Sequence, residues 1–440
     1  MRPIRIGLLG IGTVGGGTFS VLERNHAEIS RRAGRDLAIT VVADKDTARA
    51  RQITGGNRGN SVKIVDDAFA VVKDPDVDIV VELIGGTSIA RELVLAAINN
   101  RKPVVTANKA LLAKHGNEIF AAALANDVVV AFEAAVAGGV PIIKALREGL
   151  SANRIEWIAG IINGTSNFIL SEMRSKGLDF ATVLAEAQKR GYAETDPTFD
   201  IEGIDAAHKL TIMSAIGFGI PMQFEKAHIE GISKLEAIDI RYAEEMGYRI
   251  KLLGISRRAK DGIELRVHPT LIPSKRLIAN VEGVMNAILV KGDAVGSTLY
   301  YGAGAGAEPT ASAVIADLID VARMLTADPD HRVPHLAFQP DQLSDFPILP
   351  MGEVETAYYL RMRVLDRPGV LADITRIMAD QTISIDAMLQ KEPAEGEDQT
   401  DIILLTHVTQ EKNVDVAIAK IEALATVRGK VVRLRLEQLN

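Results

Sequence analysis

The stretch Ile4-Arg5-Ile6-Gly7-Leu8-Leu9-Gly10-Ile11-Gly12-Thr13-Val14-Gly15 decides how the first third of the chain is read. Its short apolar run suits a parallel strand buried on both faces. GxGxxG follows at once and opens a helical pattern over residues 14–23. Gly10 permits the tight turn, Gly12 lets the backbone approach a pyrophosphate at the helix N-terminus, and Gly15 allows close helix–strand packing. With Thr13 and Val14, these glycines form a candidate cofactor loop. Further strands are expected at 38–43, 62–65, 78–83, 103–106 and 128–131, with helices at 89–99 and 110–124. Such alternation predicts an α/β fold with a Rossmann-type parallel sheet over residues 1–133. Asp44 stands where the second strand should meet an adenosine ribose. An acid there favours NAD, while the nearby Lys45 and Arg49 leave NADP open.

Composition bounds the remainder. The chain has 440 residues, enough for roughly three domains of ~150 residues each. Fifty basic against 57 acidic residues give a net charge of −7, with no electrostatic footprint for nucleic acid. Cysteine is absent, which excludes disulfides, Cys-ligated zinc and thiolate catalysis. No run reaches the ~18 apolar residues of a membrane span. No membrane partner and a cytoplasmic location are therefore expected.

Residues 134–325 read as an α+β region for substrate binding, catalysis and dimerisation. Its expected strands are 155–162, 264–271 and 287–292, and its helices 180–190 and 201–216. An apolar helix over 311–324 should return to the first domain. Five of the 16 prolines fall between Pro329 and Pro350, which marks 326–352 as a linker. Residues 353–440 carry a ferredoxin-like βαββαβ pattern. Its strands are expected at 358–365, 383–389, 402–408 and 429–436, with helices at 369–379 and 414–424.

Candidate chemistry concentrates in Ala187-Gln188-Lys189-Arg190-Gly191-Tyr192-Ala193-Glu194-Thr195-Asp196-Pro197-Thr198-Phe199-Asp200-Ile201-Glu202-Gly203-Ile204-Asp205-Ala206-Ala207-His208-Lys209. Asp205 and Lys209, four apart, share one helix face. Such pairs are usually solvated. Here Ile204, Ala206, Ala207 and Leu210 make most sides of the helix apolar, and Glu194, Asp196 and Asp200 crowd the preceding turn. Acids converging near one lysine can bind an ammonium group. Burial or a cationic substrate can bring a lysine down from its ordinary pKa of ~10.4 toward working pH.

This run resembles the signature of the homoserine dehydrogenase family. The resemblance extends to Thr106-Ala107-Asn108-Lys109, Glu133-Ala134-Ala135-Val136-Ala137-Gly138-Gly139-Val140-Pro141, Asn163-Gly164-Thr165-Ser166-Asn167, and Tyr301-Gly302-Ala303-Gly304-Ala305-Gly306 with Pro309-Thr310-Ala311. It implies reversible hydride transfer between L-homoserine and L-aspartate 4-semialdehyde. It also implies an acid–base Lys209 with Asp205 beside it, and Glu194 and Asp200 among the substrate-binding groups. Lys109 would lie between nicotinamide and substrate, orienting it or serving as a second proton relay. Backbone carbonyls of Val136, Gly138 and Val140, with a Glu133 oxygen, would hold a structural Na+ or other monovalent cation. Gly304 and Gly306 would cover the cofactor, in a loop that departs from the family's usual run at Ala303 and Ala307-Glu308. The missing cysteine separates this chain from the thioester-forming dehydrogenase that acts on the same aldehyde.

The loop Leu365-Asp366-Arg367-Pro368-Gly369-Val370-Leu371-Ala372 resembles that of an ACT domain. This implies an amino-acid effector held by Asp366, Gly369 and Val370, with L-threonine expected, and a homodimer or homotetramer. With the glycine loop beginning at residue 10, no aspartokinase-like segment is expected ahead of it. The alternative is a catalytically silent NAD(P)- and amino-acid-sensing protein on the same scaffold.

Overall fold

A computed structural model describes residues 2–55, 62–328, 332–393 and 396–440. Its contacts divide into two compact units, each discontinuous in sequence. The first comprises Met1–Gly164, Asp205–Glu225 and Val284–Phe346; the second, Thr165–Ile204, Lys226–Gly283 and Pro347–Asn440.

In the first unit the apolar runs become β1 (Ile4–Leu9), β2 (Leu37–Ala43), β3 (Lys63–Val65), β4 (Ile79–Glu82), β5 (Val104–Thr106) and β6 (Val130–Ala131). All pair in parallel, in the order β3-β2-β1-β4-β5-β6. The order reverses beside β1, so a crevice opens at the carboxyl ends of β1 and β4, where open α/β sheets bind ligands. Ile4, Ile6, Leu8, Ile79 and Val81 are fully buried. Each such side chain contributes about 1.5–3 kcal/mol. Helix Ala307–Met324 adds Ala311, Val314, Leu318 and Val321 to the same core. It crosses helix Thr13–Arg24 so closely that a Cβ on Gly17 would lie 2.4 Å from the Ala307 carbonyl oxygen. An antiparallel set, Ile155–Ile161 against Met285–Gly292 against Gly296–Ala303, completes the strands of this unit.

The second unit is built on one sheet. Its strands run Tyr248–Arg258, Ile263–Pro273, Val427–Leu436, Glu355–Leu365, Gln399–Thr406 and Ile385–Gln390. The last four carry the expected ferredoxin-like order. Their edge strand joins Ile263–Pro273 through the parallel pairs Thr270–Arg435 and Leu271–Leu436.

The expected helix over 201–216 is corrected. A short turn, Thr198–Ile201, ends at Gly203 (φ +80°), and the helix proper runs Ile204–Phe218. Asn163-Gly164-Thr165-Ser166-Asn167 leads from strand Ile155–Ile161 into helix Gly164–Lys176. Residues 329–331 of the expected linker lie outside the described residues. In the stretch after them Leu336 and Ile348 are buried. No described helix is long and apolar enough to cross a membrane.

Charge is buried in the second unit as networks. Arg266, 1% exposed, donates to Glu264 Oε2 (2.8 Å) and Glu437 Oε1 (2.5 Å), and Arg257 reaches Glu437 Oε2 (2.6 Å). Arg435 pairs with Glu230 (2.9 Å) and Glu411 (2.6 Å). Arg361 Nε and the Tyr359 hydroxyl meet on Asp239 Oδ1 at 2.6 and 2.9 Å. Removing one member leaves a buried charge uncompensated. Glu437→Gln should therefore cost about 3 kcal/mol, read as a lower midpoint of thermal unfolding. A midpoint equal to that of the parent chain would refute this account of the network.

Candidate active site

The glycine loop adopts the geometry its spacing requires. Gly10 has φ +89°, and a Cβ there would lie 2.8 Å from the Leu83 carbonyl oxygen. A Cβ on Gly15 would lie 2.1 Å from the Gly10 carbonyl oxygen, whereas one on Gly12 would meet nothing within 4 Å. Gly12 thus opens a face on which a phosphate can rest, at the N-terminus of helix Thr13–Arg24. Asp44 stands at the end of β2 and also braces the loop. Its Oδ2 accepts from the Ile11 amide (2.7 Å) and its Oδ1 from the Asp46 amide (2.8 Å).

Two buried carboxylates missed by the sequence reading organise neighbouring backbone in this unit. Glu82, fully buried at the end of β4, accepts from the Ile84 and Gly85 amides (2.9 and 3.0 Å) and from the Thr106 hydroxyl (2.8 Å). Thr106 Oγ1 accepts from the Asn108 amide (3.0 Å), and Asn108 Oδ1 caps helix Lys109–Ala125 through the Leu111 amide (3.1 Å). This chain places Lys109 at the carboxyl end of β5. Its signal was a glutamate closing an otherwise apolar strand. The other carboxylate, Asp317, is 2% exposed and accepts the Glu133 amide (2.7 Å). Burial, reinforced by the Glu133 charge, pushes Asp317 up to about 7.

The central feature is one buried carboxylate shared by two lysines. Asp205 lies in the first turn of helix Ile204–Phe218, where the helix dipole favours negative charge. Lys209 Nζ, one turn on, donates to Asp205 Oδ2 (2.6 Å) and to the Ile162 carbonyl (2.8 Å). Lys109 Nζ lies 3.2 Å from Asp205 Oδ1. Asn163 Nδ2 donates to Asp205 Oδ2 (2.9 Å), a partner the sequence reading had quoted without assigning it a role. Strand Ile155–Ile161 delivers Ile162 and Asn163 to the site. Gly164 is required next, because a Cβ would lie 2.7 Å from the Val284 carbonyl oxygen. The Lys209 side chain is 10% exposed and that of Lys109 35%, so one is enclosed and the other reaches solvent. Burial raises the pKa of Asp205, but Lys209 and Lys109 outweigh it and hold the acid well below its ordinary range. His208, its ring tilted against Phe224 with centroids 4.3 Å apart, is pushed down to about 4 by burial and then Lys114.

Loop 133–140 packs on loop 302–306 through glycines. A Cβ on Gly138 would lie 2.5 Å from the Gly304 carbonyl oxygen, and the Gly139 amide donates to Ala303 (3.0 Å). Gly306 has φ +130° and caps helix Ala307–Met324. The Glu133 carboxylate accepts from the Ile143 and Lys144 amides (2.9 and 2.8 Å). Val136 and Val140 are buried in the same loop. The chain's one histidine pair at i, i+4 spacing is His331 and His335. The first lies outside the described residues, and the second accepts from the Val130 amide (3.0 Å). Among the described residues no group of three or more His, Asp or Glu side chains could hold a metal ion.

Glu194 and Asp200 belong to the second unit. The Glu194 carbonyl accepts from Gln188 Nε2 (3.0 Å), and the Asp200 carbonyl from the Ser166 hydroxyl (3.0 Å). At the C-terminal loop, Gly369 has φ +94° with open space where a Cβ would stand. It precedes helix Val370–Asp380, and the Asp366 amide donates to Asp398 (2.8 Å).

Asp205 links the site to stability. Its folded pKa lies below the unfolded value of ~3.9. Its contribution is therefore complete above that value and is lost as pH falls through it. Asp205→Asn should cost about 3 kcal/mol near neutrality, and the deficit should shrink below pH ~4. Denaturant titrations across pH test this; a deficit that grew on acidification would contradict it.

Comparison with known proteins agrees with this geometry. Residues 10–133 match the family model "Homoserine dehydrogenase, NAD binding domain", 141–319 match "Homoserine dehydrogenase", and 358–426 match "ACT domain". Homoserine dehydrogenase of Pseudomonas aeruginosa is 62% identical over 440 residues, covering all of both chains. The crystal structure of a homoserine dehydrogenase from Thiobacillus denitrificans superposes with a TM-score of 0.95 at 71% identity, covering 100% of this chain and 99% of that one. A hyperthermophilic archaeal homoserine dehydrogenase in complex with NADPH matches at 27% identity and a TM-score of 0.62, covering 73% of this chain and 98% of that one. Matched end to end by a named relative, with both a dinucleotide-binding and a catalytic region of one enzyme, the chain belongs to the homoserine dehydrogenase family.

Proposed function

We propose that Lys209, Asp205 and Lys109 form the acid–base centre of an NAD(P)-dependent homoserine dehydrogenase, which interconverts L-homoserine and L-aspartate 4-semialdehyde. The observation that carries this reading is the Asp205 carboxylate holding Lys209 at 2.6 Å and Lys109 at 3.2 Å. Lys109 begins the helix that follows β5, so the cluster is tied to the ligand-binding edge of the parallel sheet.

A nicotinamide coenzyme bound in the crevice supplies the hydride acceptor for alcohol oxidation and the hydride donor in reverse. Gly10, Gly12, Thr13, Val14 and Gly15 hold its pyrophosphate, and Gly304 and Gly306 lie over it. The empty face above Gly12 supports that fit. Asp44 at the end of β2 takes the ribose diol, which favours NAD. The archaeal relative with bound NADPH keeps NADP a working coenzyme to be measured.

In its neutral amine form Lys209 Nζ takes the hydroxyl proton of homoserine as the hydride leaves its carbon, and as the ammonium it returns that proton to the aldehyde oxygen in reverse. Ile162 and Asp205 aim the nitrogen. Lys109 orients the reacting oxygen and is the second relay candidate. Glu194 and Asp200 bind the substrate ammonium group. Main-chain carbonyls of Val136, Gly138 and Val140 with a Glu133 oxygen hold a structural Na+ or other monovalent cation. The Glu133 carboxylate already accepts two amides, so its carbonyl is the better donor. Edge strand Gly296–Ala303 leaves Tyr301 58% exposed, a surface on which a homodimer or homotetramer can form. We place the enzyme in the cytoplasm, alongside its coenzyme and amino-acid substrates. Relatives named for the enzyme along the full chain do not favour the silent sensor.

Lys209→Ala should lower kcat by about 10²–10⁴-fold while reduced coenzyme still binds, followed by absorbance and fluorescence of the nicotinamide. Near-normal turnover would remove Lys209 from its role. L-threonine is the proposed effector at Asp366, Gly369 and Val370. Asp366→Ala should raise the threonine concentration giving half-inhibition by about tenfold. An unchanged inhibition curve would move the effector elsewhere.

A further inference from the structure

The stretch 332–344 is a roof over a cavity in the first unit. Four points fasten it. Arg332 Nη1 donates to the Asp127 carbonyl (2.7 Å), and His335 accepts from the Val130 amide on the edge strand β6 (3.0 Å). Phe338 covers Gly219, where a Cβ would lie 2.8 Å from the ring, and the Ser344 amide donates to the Gly219 carbonyl (2.6 Å). The His335 ring also stacks on Phe120 with centroids 5.1 Å apart.

Beneath this roof lies a cavity of about 750 Å³. Pockets of several hundred Å³ with mainly apolar walls suit small organic ligands. The walls are Phe120, Leu124, Val129, Met324, Leu336 and Leu343. Arg147 also lines it. Its side chain is nine-tenths buried, and its Nε has no hydrogen-bond partner among the described residues. Its ion pair among the described residues is Nη2 with Glu148 Oε1 at 3.0 Å, and that glutamate is 45% exposed and screened by solvent. Several other charges at the rim have partners inside the protein. Asp320 pairs with Lys144 and Arg323, Asp317 accepts the Glu133 amide, and Arg332 donates to two carbonyls, with its Nε also unpartnered among the described residues. A buried guanidinium fork with donor capacity left over recognises a carboxylate. Arg147, the guanidinium whose side chain is nine-tenths buried among these apolar walls, suits one negative charge on an apolar body.

We propose that this cavity is a binding site for a small carboxylate with an apolar body, held by Arg147 and distinct from the Lys209 cluster. An apolar amino acid and its deaminated analogue share this chemistry. Binding is read directly, so the test does not depend on the assigned reaction.

The probes are 4-methylpentanoate, L-leucine, and leucinol, which lacks the carboxylate. Each is titrated calorimetrically into the full chain. Saturable binding of at least one carboxylate, with leucinol silent, is the expected result. Stronger binding of leucine than of 4-methylpentanoate identifies an amino acid, and the reverse a simple acid. Arg147→Gln should weaken binding by about tenfold or more, and Arg147→Lys by less. Leu343→Trp, which fills the cavity from the roof, should abolish it. Homoserine turnover by each variant reports that it has folded, and Arg147→Lys serves if a larger change does not. The proposal is overturned if neither carboxylate binds. It is equally overturned if leucinol binds as well, or if binding survives both Arg147→Gln and Leu343→Trp.

Discussion

The carboxylate of Asp205 is the fixed point of the site. One buried acid holds an enclosed ammonium on one oxygen and a half-exposed one on the other, with Asn163 completing its shell. Burial alone would drive such an acid toward its neutral form. Two cations reverse that, so the anion persists and both lysines are drawn to one place. Neither lysine is positioned by packing alone: without the shared anion, the enclosed ammonium would lose its charged partner beside the Ile162 carbonyl, and a long, flexible stem would decide where the other points. The strand, the parallel sheet and the helix that meet here therefore matter chemically for the three partners they deliver to one pair of oxygens.

Much of this was legible in the order of residues. The first strand coincides with its expected span, because a run apolar but for Arg5 and stopped by Gly10 admits little else. The i, i+4 spacing of Asp205 and Lys209 survives as a direct contact, and the apolar neighbours that argued for burial do bury them. Strand Tyr248–Arg258 escaped notice. Its sequence places Arg249, Lys251 and Arg257 on one face, where alternation would demand solvent, yet Lys251 is buried. Lys251 donates to the Val281 carbonyl (2.6 Å) and to Asn167 (3.1 Å), partners that no local pattern reveals. Burial pushes it down to about 8.

The site shows the same division. Residue type and spacing pointed to Lys209, Lys109 and the glycine loop, whereas Glu82, Asp317 and Asn163 gain meaning only from partners far away in the chain. Asp44 is an intermediate case. Its position after the second strand was readable, but its bracing of the Ile11 amide was not. Prolines over 329–350 marked a segment without regular structure. They could not say that a histidine within it would satisfy the edge of a sheet, since that depends on where β6 ends.

The C-terminal module is joined to strand Ile263–Pro273 through the ladder pairs Thr270–Arg435 and Leu271–Leu436. At that seam Arg435 is neutralised by Glu230 from outside the module, and Arg266 by Glu437 from inside it. Each side thus keeps a buried arginine that draws one of its two counterions from the other, the second being Glu411 for Arg435 and Glu264 for Arg266. A module of this kind is not an exchangeable cassette. Grafting it onto another enzyme, or replacing it with a foreign one, strands an arginine on one face of the seam and a glutamate on the other unless both partners travel together. Inheritance of the regulatory and catalytic parts is in this sense linked by electrostatics, over and above the peptide chain that connects them.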